Sequence, residues 1–175
     1  MDALEALRRA VRTIPDFPSP GIRFKDITPI FGHPELLREA VRLLADPFRE
    51  AGITRVVGIE ARGFILGGML AHALDVGFAP VRKSGKLPYQ TMRETYELEY
   101  GVDSLEMHVD AVGPGDRVLI HDDVIATGGT AAATARLAER AGAEVAGYAF
   151  LIELGFLEGR LRLDEGLPVH AVLTY

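Results

Sequence analysis

An α/β fold with a central, largely parallel sheet flanked by helices is what this sequence predicts, and three observations predict it. Strand-like and helix-like runs alternate, as in RVVGIE (55–60), GFILGGMLAHAL (63–74) and VGFAPVRK (76–83). A second strand-to-helix step follows further on, where VLIH (118–121) gives way to a glycine-rich turn and a helical pattern over 129–141. The length, 175 residues, suits one domain, 1–175, able to bury about 70% of its extended-chain surface. Strands that alternate with helices lie parallel, because each helix carries the chain back across the sheet.

Each element has a local reason. Leu4, Leu7 and Val11 share a face, so residues 2–13 read as a short amphipathic helix. PDFPSPG (15–21) crowds prolines against a glycine and is a pinned, extended loop. ELLREAVRLLADPFRE (35–50) is helical, with Pro47 interrupting it. The glycines of 63–74 let that helix pack closely. Residues 84–95 have no clear period and are rich in polar residues and breakers. YELEY (96–100) and LEMHV (105–109) alternate like antiparallel strands. Gly142 stops the helix over 129–141. EVAGYAFLIE (144–153) and PVHAVLTY (168–175) are the last two strands.

Composition excludes several classes. The chain has no cysteine, which removes disulfide frameworks and thiolate chemistry and fits a reducing cytoplasm. Its charged N-terminus lacks a signal-peptide core, and no stretch approaches a membrane span, so no membrane partner is expected. A net charge of −6 argues against a general nucleic-acid binder.

The chemistry concentrates in VLIHDDVIATGGT (118–130). In open α/β sheets the ligand sits beyond the carboxyl ends of the strands. Asp122 and Asp123 are expected there, at the end of the 118–121 strand. The loop after them opens a helix, so backbone N–H groups over 127–130 would point into one concavity with the positive end of the helix dipole behind them. Glycines permit close approach and two threonines add hydroxyls, which makes a phosphate cradle. Neither a Walker loop nor a dinucleotide fingerprint occurs here. The acids precede the cradle by about one sugar's length. Carboxylates there suit vicinal ribose hydroxyls and would repel a second phosphate, so the implied ligand is a 5-phosphorylated ribose. His121 alone reads as a packed strand residue.

This segment resembles the 5-phosphoribosyl-1-pyrophosphate (PRPP) motif of the type I phosphoribosyltransferases. PDFPSPGIRFKDITP (15–29), GIEARGF (58–64), RKSGKLP (82–88), YELEYG (96–101) and LIEL (151–154) resemble further blocks of the family's adenine-using branch, in the same order. The resemblance implies the type I fold, with an N-terminal base-binding hood (1–34) and a flexible lid loop (84–97). It implies that adenine and PRPP give AMP and pyrophosphate with Mg²⁺, in a homodimer. It assigns the 5′-phosphate to Ala126, Thr127, Gly128, Gly129, Thr130 and Ala131, and the ribose hydroxyls to Asp122 and Asp123. Pyrophosphate falls to Glu60, Ala61 and Arg62, across a cis peptide between Glu60 and Ala61, and to Arg82, Lys83, Lys86 and Tyr100. The base is assigned to Phe24 on one face, Leu154 on the other, and backbone groups of Arg23 and Lys25 at its edge. Glu99 would exchange a proton with the purine. No residue cluster has protein metal-site spacing, so Mg²⁺ would be held through pyrophosphate, ribose hydroxyls and water.

Two departures from the family pattern stand out. One common form has a small apolar residue at Arg23 and arginine at Lys25, and Glu60-Ala61 replaces a frequent Asp-Ser. Two alternatives stay open: a type I transferase for a 6-oxopurine or another base, and a PRPP-sensing regulator without turnover. The 34 residues of the hood segment are too few and too proline-rich for a helix-turn-helix domain with a linker.

Overall fold

The computed structural model describes residues 2–97 and 101–175. Helix α1 (Ala3–Ala10) leads into an antiparallel hairpin of β1 (Arg12–Pro15) and β2 (Arg23–Asp26). Then come α2 (Thr28–Phe31) and α3 (Pro34–Ala45). The alternating unit follows: β3 (Arg55–Ile59), α4 (Gly63–Leu74) and β4 (Gly77–Lys83). A second hairpin, β5 (Thr91–Glu97) and β6 (Val102–His108), precedes β7 (Arg117–Ile125), α5 (Gly129–Arg140), β8 (Glu144–Glu153) and β9 (Val169–Thr174).

The large sheet runs β5-β6-β4-β3-β7-β8-β9. Strands β4, β3, β7, β8 and β9 are parallel, and β5 and β6 add an antiparallel edge. The period of two in the strands sorts side chains between the faces. Val57, Ile59, Val118 and Ile120 pack with Ala133 and Leu137 of α5. Val56 and Leu119 point the other way, onto Leu44 of α3 and Leu66 and Leu70 of α4. Leu7, Ile27 and Ile30 join that second core, so the N-terminal segment is packed against the body of the fold. Among the described residues no helix is long and apolar enough to cross a membrane.

The helix expected over 2–13 ends at Ala10, with Arg12 and Thr13 already in β1, and three further departures bear on the site. The proline-rich loop is the turn of the β1–β2 hairpin, which the sequence reading did not contain. Asp16 accepts the Gly21 N–H at 2.7 Å and folds the chain back, so that Pro15 pairs with Arg23 and Thr13 with Lys25. The expected lid, 84–97, is a loop only as far as residue 90; Thr91–Glu97 is a strand paired along its length with β6. Strand pairing, not apolar periodicity, organises that edge, which is why its polar sequence read as a loop. Third, Asp122 and Asp123 lie inside β7 instead of after it. β8 keeps pairing with β7 as far as Ile125, whereas β3 stops at the Gly58–His121 pair. Pro47 acts as expected: α3 ends at Ala45 and a 3-10 turn takes over.

His121 is fully buried on β7, with Nδ1 2.9 Å from the Ala149 carbonyl oxygen. Its Nε2 has no partner among the described residues. Burial pushes its pKa from 6.5 down to about 4, against smaller upward effects of the Ala149 carbonyl and the Asp123 charge. The unfolded chain therefore takes up a proton that the folded chain refuses. The His121 contribution to stability is constant above about pH 6.5 and falls as pH drops toward 4, by up to about 3 kcal/mol. Denaturant melts of wild type and His121→Val across that range should diverge in slope, the variant being flatter; parallel slopes would overturn the assignment.

Candidate active site

Two connections leave the middle of the sheet in opposite directions. From β3 the chain crosses through α4 to β4, and from β7 through α5 to β8 on the other side. Such a reversal opens a crevice beyond the carboxyl ends of the two diverging strands. Because β3 ends first, the β7 edge lies open from Asp122 onward, and a cavity of about 670 Å³ occupies that opening.

Most of the expected residues line it: Arg23, Phe24, Lys25, Glu60, Ala61, Arg62, Lys83, Asp122, Asp123, Ala126, Thr130 and Leu154. A side cleft of about 70 Å³ adds Thr127, Gly128 and Ala131. Gly128, with φ of +79°, turns the chain into α5, a conformation that L side chains rarely adopt. Gly129 lines neither of these openings; a Cβ on it would stand 3.4 Å from Tyr96 and Arg162. Glu99 and Tyr100 lie outside the described residues.

Acids and bases in the cavity are paired with one another. Arg62 donates to Asp123 at 2.5 Å, and its guanidinium stands 4.8 Å from the centre of the Phe24 ring. It therefore touches both the acid pair and the hood. Asp122 packs against the start of α4, where a Cβ on Gly63 would come within 2.9 Å of its Oδ1. Glycine at 63 is what lets the carboxylate approach that helix terminus. Burial, then the neighbouring Asp123 charge, push the Asp122 carboxyl well above the usual range; Arg62 partly offsets this. The Glu60–Ala61 peptide is cis, as the resemblance implies.

The basic cluster is distributed unevenly. Only Lys83 of the three lines the cavity, and its Nζ binds Asp103 at 3.0 Å. Arg82 and Lys86 instead donate to Glu60, at 3.0 and 2.6 Å, as does the Lys83 N–H at 2.9 Å. Burial alone would raise the Glu60 carboxyl; the bonds from Lys86, Lys83 and Arg82 outweigh it and hold the group below its ordinary value. Glu60 thus gathers the cations beside the cavity and partly neutralises them.

On the hood side, β2 pairs only with β1, so its other edge carries backbone groups with no strand opposite. Arg23 and Lys25 are two residues apart, and their backbone groups point to the same edge. The Lys25 side chain turns away, 3.9 Å from the Tyr175 ring centre and 3.0 Å from the Thr13 hydroxyl. Burial first, then Arg23 and Arg8, lower its pKa. Sequence reasoning missed Tyr96 and Asp103 in the cavity wall. Their only signal was strand alternation, which says which residues share a face but not what that face meets.

Among the described residues no three His, Asp or Glu side chains gather as a metal cage. Asp122 and Asp123 offer one carboxylate pair, and Arg62 already engages the second.

A family model described as "Phosphoribosyl transferase domain" matches residues 26–163. The chain is 58% identical over 165 residues to adenine phosphoribosyltransferase of Desulfitobacterium hafniense, covering 94% of this chain and 95% of that one. The solved structure of adenine phosphoribosyltransferase from Rhodothermus marinus superposes with a TM-score of 0.95 at 70% identity, covering 99% of this chain and 98% of that one. The Saccharomyces cerevisiae enzyme, complexed with D-2,5-dideoxy-2,5-imino-altritol 1,6-bisphosphate and adenine, gives 0.92 at 44% identity, with 98% of each chain covered.

Proposed function

The chain belongs to the phosphoribosyl transferase family, and from that premise we propose that it transfers the 5-phosphoribosyl group of PRPP to adenine, releasing AMP and pyrophosphate. The observation that carries the reading is one juxtaposition. A glycine-led helix N-terminus, an acid pair and an open hood edge all line the crevice where β3 and β7 diverge. That is the order of groups along a phosphorylated ribose with a base at its other end. The yeast relative complexed with adenine supports the choice of base.

In this reading the backbone N–H groups over 126–131 hold the 5′-phosphate, assisted by the α5 dipole. Asp122 and Asp123 accept hydrogen bonds from the two ribose hydroxyls. Adenine lies between Phe24 and Leu154, its edge against the Arg23 and Lys25 backbone. Pyrophosphate sits over Glu60-Ala61-Arg62 with Lys83, and draws Arg82 and Lys86 away from Glu60. Arg62 exchanges Asp123 for pyrophosphate as the ribose takes up the carboxylate. A Mg²⁺ would arrive with PRPP beside Asp122 and Asp123, the carboxylate pair in the cavity. When bound it neutralises charge on the departing pyrophosphate. The base nitrogen attacks the anomeric carbon as the C–O bond to pyrophosphate breaks, through an oxocarbenium-like transition state. The same reading makes the assembly a homodimer and the compartment the cytoplasm. The testing experiment is direct: purified protein, PRPP, Mg²⁺ and each nucleobase in turn, with pyrophosphate release measured. Release with none of the bases would sink the reading.

Glu99 and Tyr100 enter through the YELEYG block alone, Glu99 as the carboxyl that trades a proton with a purine ring nitrogen and Tyr100 as a pyrophosphate contact. Residues 84–97, loop and β5 together, form the cover that keeps water from the reacting centre. Glu99→Gln should lower kcat about 10²–10⁴-fold with little change in the KM for adenine. Steady-state kinetics check this, and an unchanged kcat removes the role. Protease cleavage within 84–97 should slow when PRPP and Mg²⁺ are added; indifference to ligand removes the cover.

A further inference from the structure

The segment after β8 makes two 3-10 turns, Gly155–Leu157 and Gly159–Arg162. Its Gly159 is buried against the cradle, backbone to backbone. A Cβ on Gly128 would run into the Gly159 carbonyl oxygen and stand 3.0 Å from its carbonyl carbon. A Cβ on Gly159 would run into the Ala126 carbonyl oxygen and stand 3.0 Å from the Gly128 nitrogen. Neither side of this contact has room for a side chain. The next residue, Arg160, clamps the turn to the end of the sheet. Its Nε and Nη2 donate to the two Glu153 carboxylate oxygens at 2.6 and 2.7 Å, and its Nη1 donates to the Val169 carbonyl at 2.7 Å. Leu163 closes the segment by burying itself in the core on the α5 face.

We propose that Gly159, held in place by the Glu153–Arg160 pair, is a positioning residue of the phosphate cradle: it fixes the backbone over 126–128 so that the N–H groups converge on the 5′-phosphate. This rests on the function proposed above. A bidentate pair is directional as well as strong, so it fixes the turn in orientation and not only in distance. The cradle needs that support. Gly128 holds a left-handed conformation that a free glycine adopts no more readily than many others. Hydrogen-bond donors to an anion contribute fully only when held near their productive geometry.

The 5′-phosphate does not react, so its grip is the same in the ground state and the transition state, and a disturbed cradle raises KM more than it lowers kcat. Gly159→Ala should therefore raise the KM for PRPP and weaken AMP and ribose 5-phosphate by about 10-fold or more, the loss of one charge-assisted hydrogen bond. Inhibition by pyrophosphate, which binds at the other end, should stay at its wild-type value. Arg160→Lys keeps the charge and loses the bidentate fit, and should move the same quantities in the same direction by less. The experiment is calorimetric titration of wild type and both variants with AMP, ribose 5-phosphate and pyrophosphate, alongside melting curves. If Gly159→Ala does not fold, Arg160→Lys carries the comparison. A folded Gly159→Ala protein, or in its place Arg160→Lys, that binds both phosphate esters as wild type does overturns the inference alone. So does a parallel loss of pyrophosphate affinity, which would mark general distortion. A wild-type protein that binds neither ester overturns the function reading and this inference with it.

Discussion

Offered adenine and hypoxanthine in turn, with PRPP and Mg²⁺, the protein should use adenine with a kcat/KM about 10⁴-fold higher. The size of the effect comes from polar mismatch, not from shape. Adenine presents a donor at N6 beside an acceptor at N1, and a 6-oxopurine reverses both. Under the proposed pose the carbonyl of Arg23 and the N–H of Lys25 face that edge from the free side of β2. These are backbone groups and cannot rotate to suit the other pattern. A wrong base leaves two buried groups unpaired, and each carries a desolvation penalty of about 1–3 kcal/mol. The unusual side chain at Lys25 does not enter, since it is turned toward Tyr175 and Thr13. Pyrophosphate release measured with each base checks the ratio. Comparable turnover of hypoxanthine would favour a 6-oxopurine transferase, and PRPP binding without turnover of any base would favour a regulator.

The double variant Asp122→Asn/Asp123→Asn should lose about 10²–10⁴-fold in kcat/KM for PRPP. In the proposed pose each carboxylate accepts a charge-assisted hydrogen bond from a ribose hydroxyl, worth about 1.5–3 kcal/mol, and an amide oxygen accepts a weaker one. The fold should survive. Asp122 has its pKa raised in the folded state, chiefly by burial and then by Asp123. A raised carboxyl stabilises the fold at low pH, and that contribution is lost as pH rises through its folded pKa. The folded site disfavours the charged form of Asp122, so Asp122→Asn alone should not lower the melting temperature. Kinetics and melting together test the pair: wild-type turnover in the double variant ends the ribose assignment, and a collapsed melting temperature in Asp122→Asn ends the account of its environment.

Local chemistry explains why so much of the fold was legible. The helix 63–74 and the strand 144–153 have the bounds expected for them, because continuous apolar runs bounded by Gly, Asp or charged residues permit one reading. Gly142 stops α5 with a φ of +92°. Illegible parts were those that non-local pairing organises. The β1–β2 hairpin depends on residues across a proline-rich turn meeting each other. The strand over Thr91–Glu97 depends on β6, and its polar sequence carries no apolar period. Asp122 and Asp123 lie within β7 because β8 is long enough to reach them.

By itself, then, the sequence determined the alternation of strands and helices, the glycine-led helix start and the acid pair beside it. Each is written in contiguous residues whose backbone freedom, charge and hydroxyl content act locally. Tertiary structure alone decided which groups face one another. It paired Arg62 with Asp123, gathered Arg82 and Lys86 on Glu60 while leaving Lys83 in the cavity, and set Gly159 against the cradle. Those partners are 61, 22, 26 and 31 residues apart in the chain. Chain folding sets such contacts through sheet order and strand length, and no spacing pattern in one sequence records them.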